Sequence, residues 1–295
     1  MDTRSYKKSY FRDQARKSIL LLPAVVLLLL FFVVPVALTV YYSFTNMALT
    51  GSAVKDFQFV GLSNYARLLE SAARKATLNT IIFLIGSLVG QQVIGFLIAY
   101  FMKDAPAKLR RVVGPCILAG WVMPEVVVSM CMLAFFDTSG TVNTILGAVR
   151  LPAVSWMYGH PMLTVILANI WHGTAFSMMN FQSALDSVSG DIEEVARVDG
   201  ATRLQTLTRI VIPCIKDTIG TNTMLNTLST LGVFGLIWTM TGGGPGGKTT
   251  TLAIYMYNAG MKNFQLGQGT AVGMLILFVG VVCSIIYTRI LRTDD

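Results

Sequence analysis

One stretch of this chain has the spacing of a phosphate-binding loop. Residues 242–249 are Gly-Gly-Gly-Pro-Gly-Gly-Lys-Thr, which fits the pattern G-x-x-x-x-G-K-[ST]. Such a loop binds phosphate when it follows a β-strand and opens a helix whose N-terminal amides face the ligand. Here a long apolar run precedes the glycines, so the sequence predicts a flexible loop that binds no nucleotide.

A single carboxylate, Glu125, lies deep within one of the apolar runs. Charged groups at bilayer depth cost about 2.5–3.5 kcal/mol on insertion scales, so they normally face a cavity or a partner. Glu125 is therefore predicted either to line a path for a polar solute, where it can accept hydrogen bonds from hydroxyl groups, or to pair with a neighbouring subunit. The sequence leaves both roles open.

Other polar and aromatic residues recur within the apolar runs. Amides and imidazoles there hydrogen-bond between helices at about 0.6 kcal/mol on average, and this is the role expected for most of them. A path for a hydroxyl-rich solute also needs donors, acceptors and aromatic rings for stacking. The candidates for such a path are Glu125, Trp121, Asn169, Trp171, His172, Phe176, Asn222 and Asn226. The sequence shows no grouping of acids, bases or metal ligands, so we predict no catalytic residue, no metal and no cofactor bound by this chain.

The segment between the fourth and fifth apolar runs is charged and amphipathic. Asp191 is predicted to cap a first short helix, with Glu194 three residues later. Gly200 follows that helix, at the position where a left-handed residue is most easily placed. Thr202 and Gln205 repeat the capping signature for a second helix. This pattern predicts helix, glycine turn, helix: a unit too polar to cross a bilayer and suited to lie against another surface.

These residues resemble a motif of the permease subunits of binding-protein-dependent ABC importers. That family has a cytoplasmic loop of pattern E-A-A, three residues, G, nine residues, I-x-L-P. Here Glu194-Val-Ala196 is followed by three residues, Gly200, nine residues and Ile210-Val-Ile-Pro213. Val195 replaces the first Ala and Ile212 replaces Leu. In the family this loop is the coupling helix, which docks in a groove of the ATPase subunit. The resemblance implies ATPase-coupling roles for Glu194, Ala196, Asp199, Gly200, Ala201, Ile210 and Pro213.

Further stretches are similar to the carbohydrate-type permeases of that family. They are Phe59-Val-Gly-Leu-Ser-Asn-Tyr65, Asn79-Thr80, Met123-Pro124, Ile170-Trp171 and Leu236-Ile-Trp-Thr-Met-Thr-Gly-Gly-Gly-Pro245. The family usually has Arg after the Ile-Trp pair and Pro shortly after, where this chain has His172 and Ala175. The resemblance implies a second permease subunit, two ATP-binding subunits that carry MgATP, and an external solute-binding protein. Contact with that external protein is a further possible role of the glycine-rich loop.

Composition indicates a membrane protein. Only 13% of the 295 residues are charged and 54% are hydrophobic, whereas about 25% of a soluble domain is charged. Long apolar stretches with few charges predict membrane spans. The four cysteines are isolated, which indicates buried packing and no disulfide framework. We therefore expect an all-α membrane protein with one permease domain over residues 19–289. Its predicted parts are a cytoplasmic segment at 1–18, spans at about 19–44, 78–102, 112–136, 162–184, 217–240 and 268–289, a coupling loop at 186–216 and a cytoplasmic tail at 290–295.

The net charge of +8 does not indicate a nucleic-acid partner, because most basic residues lie in short segments beside apolar runs. Basic residues are more frequent in the segments that a cytoplasmic N-terminus would place inside, which supports six spans with both termini inside. The expected location is the cytoplasmic membrane of a bacterium or archaeon, in contact with membrane lipid.

Three functions are alternatives to a sugar permease. An importer permease for an amino acid, peptide or polyamine is the nearest rival. A secondary transporter would show inverted repeats and ion-coupling carboxylates in its spans, of which Glu125 alone qualifies. A membrane enzyme would need clustered acids, bases or metal ligands. The leading prediction is a permease for a sugar or oligosaccharide.

Overall fold

The structure is a computed structural model that describes the backbone of residues 21–292 and the side chains of residues 21–289. The predicted N-terminal segment at 1–18 and the end of the predicted tail lie outside these residues. Within residues 21–292 every regular secondary-structure element is a helix, and β pairing is limited to one isolated bridge between Thr45 and Phe59. The all-α prediction is therefore confirmed for this part of the chain.

Eleven helices of the described residues are given labels here. In chain order they are α1 (Leu21–Ser43), α2 (Ser71–Lys103), α3 (Ala107–Val122), α4 (Glu125–Phe135), α5 (Pro161–Ser187), α6 (Gly190–Val198), α7 (Arg203–Thr206), α8 (Lys216–Leu231), α9 (Gly235–Thr241), α10 (Leu252–Tyr257) and α11 (Leu266–Arg292). Wider π turns at Leu29–Val33, Leu207–Val211 and Asn258–Lys262 lie within α1, after α7 and after α10. Shorter helices at Ser63–Ala66, Thr141–Ala148 and Trp156–Gly159 lie in the connections.

Four of these helices, α1, α2, α5 and α11, are each long and apolar enough to cross a membrane. Two further pairs pass the same test only together, and each is bent at a short break. The predicted spans at about 112–136 and 217–240 therefore each coincide with two helices joined by a break. The chain bends by 105° between α3 and α4 and by 48° between α8 and α9.

The first break has a local cause. Met123 and Pro124 both adopt extended ψ angles, 135° and 139°. A proline has no N–H to donate and its ring disfavours helical geometry in the residue before it, so helix α3 ends there. The second break follows Leu231 and includes Gly232. Phe234 then occupies the residue position before α9, with the non-helical angles φ −122° and ψ −55°.

Helices α2 and α5 form the centre of the bundle, and glycines allow their close approach. A Cβ added at Gly95 would lie 2.5 Å from the Ser177 side chain and 2.9 Å from the Met178 backbone nitrogen. Small residues at such contacts let helix backbones approach within a membrane. The main apolar cluster adds α4 and α9 to this pair, through Val128, Leu236 and Ile237 packed against Phe83 and Val165.

The connection between α1 and α2 is held by one buried amide. Asn64, 5% exposed, donates to the carbonyl oxygens of Ser43 and Thr45 over 2.9 and 2.8 Å. This explains why an asparagine stands in the Phe59–Tyr65 stretch: its side chain holds the connection against the end of α1. The prediction of buried cysteines is not confirmed, because Cys116, Cys131 and Cys214 are exposed on the isolated chain.

Candidate functional site

Helices α6 and α7 form the predicted helix–glycine–helix unit, which we call the elbow (residues 190–214). Gly200 has φ +81°, a left-handed conformation that favours glycine. Thr202 and Gln205 form the predicted capping box, with hydrogen bonds of 2.8 and 3.3 Å. The first cap differs from the prediction. Ser189 caps α6 by accepting from the Asp191 backbone N–H, so Asp191 is inside the helix rather than its cap.

The elbow exposes apolar residues around its glycine. Val195, Val198 and Leu204 are 61, 82 and 68% exposed. Such a patch on a charged segment is typical of a surface that meets another protein. Sequence reasoning missed Val198. The available signal was its place in an amphipathic helix directly before the Gly200 turn.

The predicted coupling residues lie in three environments. Glu194, Asp199, Gly200 and Pro213 are exposed, Ala201 and Ile210 are half-buried, and Ala196 is buried. Ala196 is covered within the chain itself, so its small side chain allows the elbow to fold rather than forming part of its outer face. A shallow surface groove of about 330 Å³ lies between α6 and the π turn that follows α7, lined by residues that include Val195, Asp199 and Ile210.

The elbow is attached to the membrane helices by an apolar cluster and by an ion pair. Leu207, Val211 and Ile215 pack with Phe181 and Leu185 of α5. The Lys103 ammonium group at the end of α2 donates to the Glu193 carboxylate of α6. Sequence reasoning missed this pair, because the two residues are ninety positions apart in the chain.

Glu125 lies where the two bent helix pairs meet. It is the first residue of α4, directly after the Pro124 break, and is half-buried. A Cβ added at Gly235, the first residue of α9, would lie 2.5 Å from the Glu125 Oε2 atom. The Ser129 hydroxyl donates to the Glu125 carbonyl oxygen over 2.6 Å. The Glu125 carboxylate, at the break between α3 and α4, therefore lies against the backbone of Gly235, at the break between α8 and α9.

Three aromatic candidates converge beside α3. The rings of Trp121 and Phe176 have centroids 5.9 Å apart, and the Trp171 ring lies over Gly120, 3.2 Å from the position of an added Cβ. Trp121 and Trp171 are 41 and 47% exposed. Gly120 and Trp171 also line a cavity of about 420 Å³ between α2, α3 and α5. This group of rings presents faces on which a sugar could stack.

Most of the amide candidates are engaged with neighbouring helices. The Asn222 amide donates to Gln92 Oε1 and its oxygen accepts from Asn180, each over 2.9 Å. Asn226 donates to the Ser177 hydroxyl over 2.8 Å. These bonds join α8 to α2 and α5, which is the structural role that polar groups in membrane helices commonly have. Asn222 also lines a smaller cavity of about 210 Å³.

Asn169 and His172 form a different set. Asn169 is 4% exposed, and its carbonyl oxygen accepts from Gln91 over 3.0 Å. The buried Asn169 Nδ2 and His172 Nε2 atoms have no hydrogen-bond partner among the described residues. Buried polar atoms normally have partners. Both atoms are covered by the chain itself, so a ligand or a neighbouring subunit reaches them only if the surrounding helices shift.

Three hydrogen bonds from α2 join it to the glycine-rich loop, for which the sequence predicted flexibility. Lys75 donates to the Gly246 carbonyl oxygen over 2.8 Å, and the Asn79 amide donates to the carbonyl oxygens of Gly247 and Thr250 over 2.9 and 3.0 Å. Helix α9 precedes the loop, where a phosphate-binding loop would have a strand.

An aromatic group is formed by residues that flank this loop in the chain. The Trp238 ring lies 5.7 Å from that of Phe234 and 4.7 Å from that of Tyr257, and the Lys262 ammonium group lies 4.4 Å above the Trp238 ring. This arrangement is a cation–π contact. The residues come from both sides of the loop, so sequence spacing alone could not bring them together.

Comparison with known proteins identifies relatives along the whole chain. The model of the family described as "Binding-protein-dependent transport system inner membrane component" matches residues 91–293. The chain is 28% identical over 288 residues to the sulfoquinovosyl glycerol transport system permease protein SmoG of Agrobacterium fabrum, covering 96% of this chain and 92% of that one. It is 28% identical over 302 residues to the trehalose/maltose transport system permease protein MalF of Thermococcus litoralis, covering 99% of each.

Solved structures show the same fold. A chain of a bacterial ABC transporter involved in the import of the acidic polysaccharide alginate superposes with a TM-score of 0.81 at 24% identity, covering 98% of this chain and 99% of that one. A chain of the MetNI methionine ABC transporter, in an inward-facing conformation, superposes with a TM-score of 0.57 at 18% identity, covering 76% of this chain and 96% of that one.

Proposed function

Because this chain belongs to the family of inner membrane components of binding-protein-dependent transport systems, we propose that it is a permease subunit of an ABC importer for a sugar or oligosaccharide. The observation that carries the proposal is the family match over residues 91–293, a range that includes the elbow and both bent helix pairs. Two relatives that cover nearly the whole chain are named for the transport of glycosides or disaccharides, which supports the sugar class.

The elbow is the surface that meets an ATPase subunit in this proposal. Val195, Val198 and Leu204 supply exposed apolar contact, and Glu194 and Asp199 supply polar contact at the rim. MgATP binds to two partner ATP-binding subunits and is hydrolysed there, so this chain is not itself an enzyme. Closure of those subunits moves the elbow, and the elbow moves the membrane helices.

In the membrane, each bent pair counts as one crossing in this proposal, so that α1, α2, α3–α4, α5, α8–α9 and α11 form six spans. Both termini are cytoplasmic, which places the elbow inside and the glycine-rich loop outside. A non-helical break is tolerated within a bilayer where it is buried in protein or lines a cavity. The breaks therefore favour a second permease subunit packed beside them in the cytoplasmic membrane of a bacterium or archaeon.

The solute path includes the meeting point of the two breaks. Broken helices leave backbone groups free to bind a polar solute near the bilayer midplane, and Glu125 adds an acceptor there. Trp121, Trp171 and Phe176 add ring faces beside α3. Asn169 and His172 are the polar candidates with a buried atom that has no hydrogen-bond partner among the described residues, whereas Asn222 and Asn226 serve chiefly to hold helices together.

Reconstitution of the complete complex tests this function. Proteoliposomes holding this chain with the permease, ATPase and binding-protein subunits of its own complex would be supplied with radiolabelled trehalose, maltose, sulfoquinovosyl glycerol and methionine. We expect ATP-dependent uptake of at least one of the glycosides and none of methionine. Vesicles that lack the ATPase subunits are the matched control, and no uptake is expected in them.

The other outcomes each favour one of the rival functions. Uptake of methionine alone would replace the sugar class with an amino acid. Uptake in the vesicles without ATPase subunits would indicate a secondary transporter and overturn the proposal.

A further inference from the structure

Helix α2 contacts the elbow at one end and the glycine-rich loop at the other. At 33 residues it is about 50 Å long, since an α-helix rises about 1.5 Å per residue, and this exceeds the roughly 30 Å hydrocarbon thickness of a bilayer. At the outer end Lys75 and Asn79 donate to the loop, and the Thr80 hydroxyl accepts from the Leu252 backbone N–H over 2.8 Å. Contacts at both ends of one long helix provide a route between the two faces of the membrane.

The inner contact is the ion pair between Lys103, the last residue of α2, and Glu193 of the elbow. Both side chains are only 17% exposed, so solvent screens the pair less than it screens a surface pair. The second carboxylate oxygen of Glu193 lies 4.0 Å from Arg197 Nη2, one turn later in α6. Because Arg197 is 67% exposed, that second contact is largely screened by solvent, and the Lys103 pair is what joins Glu193 to the end of α2.

Packing along α2 makes it a stiff connection. The Gln91 amide donates to the Asn169 carbonyl oxygen in its middle turns, and Gly95 lies against the backbone of α5 at Met178. Close-packed interiors resist compression and transmit displacement. A shift of the inner end of α2 is therefore carried towards the loop at its outer end.

We propose that the Lys103–Glu193 pair is the link through which movement of the elbow reaches α2 and, through α2, the outer glycine-rich loop. Lys103 and Glu193 are positioning residues in this account, since neither contacts solute or nucleotide. The inference rests on the proposed function, in which the elbow meets an ATPase subunit. It adds a defined route from that contact to the face where the binding protein delivers solute.

A second ion pair supplies a matched control. Arg110, near the start of α3, donates to Asp186, near the end of α5, over 2.9 Å. The pair lies at the same end of the bundle but does not include the elbow, and its side chains are 34 and 44% exposed. Charge reversal at Arg110 therefore introduces the same kind of electrostatic change without affecting the elbow contact.

The experiment measures ATP hydrolysis by the complete complex in lipid nanodiscs, with and without its purified binding protein. The binding protein is loaded with whichever of trehalose, maltose or sulfoquinovosyl glycerol raises its melting temperature most. The variants are Lys103→Glu, Glu193→Lys, the double exchange of the two charges, Lys103→Gln and the control Arg110→Glu. We expect each single reversal to lower stimulation by the binding protein on the order of 10-fold, while basal hydrolysis persists. The double exchange restores stimulation in part, because the cation placed at position 193 also faces Arg197, and Arg110→Glu leaves stimulation unchanged.

Three results test the proposed Lys103–Glu193 link. Stimulation that is unchanged in Lys103→Glu overturns the link, as does a double exchange that assembles without regaining stimulation. Should the charge-reversed variants fail to assemble, Lys103→Gln tests the link, because it removes the attraction to Glu193 without adding repulsion. Lowered stimulation in Lys103→Gln supports the link, and full stimulation overturns it. If the wild-type complex is not stimulated by its binding protein, the proposed function fails instead, which is a separate result.

Discussion

Glu125 connects the two structural irregularities of the membrane region. Helix α4, which contains Glu125, begins directly after the Pro124 break, and the Glu125 carboxylate lies against Gly235, the first residue of α9 in the second bent pair. A charge buried among helices is costly unless it faces a partner or a cavity. The missing side chain at Gly235 supplies the space that this carboxylate needs.

The substitution Gly235→Ala tests the role of this contact. The added Cβ would lie 2.5 Å from Glu125 Oε2, so the end of the flexible glutamate side chain must move while the backbone stays in place. We expect normal assembly of the complex and several-fold slower ATP-dependent solute uptake, on the scale of about 1 kcal/mol for a modest displacement. Uptake into proteoliposomes and co-purification of the subunits are the measurements.

Gly232→Ala is the matched control for Gly235→Ala. It lies in the same break, yet its added Cβ would come no closer than 3.6 Å to the Ser229 carbonyl oxygen, which is ordinary contact. Uptake by this variant should match the wild type. Equal uptake by both variants and by Glu125→Gln would show that the carboxylate has no part in the solute path.

Gly200→Ala tests the left-handed turn of the elbow. No atom lies within 4 Å of the added Cβ, so the cost comes from the backbone alone. At φ +81° that cost is about 1–2 kcal/mol for a residue with a Cβ, enough to shift the elbow towards other conformations. We expect assembled complex with lowered stimulation of ATP hydrolysis by the binding protein.

Gly190→Ala is the control within the same elbow. Its surroundings are equally open, and Gly190 lies in the first turn of α6 without a left-handed φ. Stimulation in this variant should equal that of the wild type. If Gly200→Ala behaves like Gly190→Ala, the conformation of the turn has no bearing on coupling.

At the scale of elements, the close packing of α2 on α5 controls stability. Gly95→Ala would place a Cβ 2.9 Å from the Met178 backbone nitrogen, and a backbone atom cannot rotate away. Overpacking of this kind costs about 1–3 kcal/mol. The expected result is a lower melting temperature of the detergent-solubilised complex, measured by loss of the monodisperse peak after heating.

Gly114→Ala separates this steric effect from helix propensity. Gly114 lies in α3, and an added Cβ there meets no atom within 4 Å. Both substitutions gain the same intrinsic preference of alanine for helices, up to about 1 kcal/mol. The melting temperature of Gly114→Ala should therefore equal or exceed that of the wild type. A melting temperature equally high in Gly95→Ala would contradict the tight α2–α5 contact.

The elements differ in how far the sequence could predict them. The capping box of Thr202 and Gln205 and the left-handed Gly200 follow from local residue chemistry, and both were predicted. The breaks at Pro124 and at Gly232 were not, because hydropathy continues across them and prolines also occur within unbroken membrane helices. The Lys103–Glu193 pair, like the anchoring of the glycine-rich loop by Lys75 and Asn79, depends on tertiary packing that no local pattern specifies.

At the scale of the whole molecule, the two bent pairs determine how many times the chain crosses the membrane. A pair that crosses puts the segments on its two sides in different compartments, and a re-entrant pair leaves them in one. In chain order, the elbow comes before the α8–α9 pair and the glycine-rich loop comes after that pair. The connection that contains Tyr158 lies between the α3–α4 pair and α5. Labelling of these three places from one side of the membrane therefore distinguishes six crossings from fewer.

In membranes stripped of the ATPase subunits, we expect Val198→Cys to react with a membrane-impermeant maleimide only in inside-out vesicles, and Lys248→Cys and Tyr158→Cys only in spheroplasts. Val198 and Tyr158 are 82 and 73% exposed and Lys248 is also exposed, so each site is accessible to the reagent in the isolated chain. The background is a variant in which Cys116, Cys131, Cys214 and Cys283 are serine, and its own lack of labelling is the control. If Lys248→Cys labels from the same side as Val198→Cys, then α8–α9 is re-entrant. With a cytoplasmic N-terminus, labelling of Tyr158→Cys only in inside-out vesicles and of Val198→Cys only in spheroplasts would show that α3–α4 is re-entrant. Either result would reduce the number of crossings and place the elbow and the loop differently from the arrangement that importer function requires.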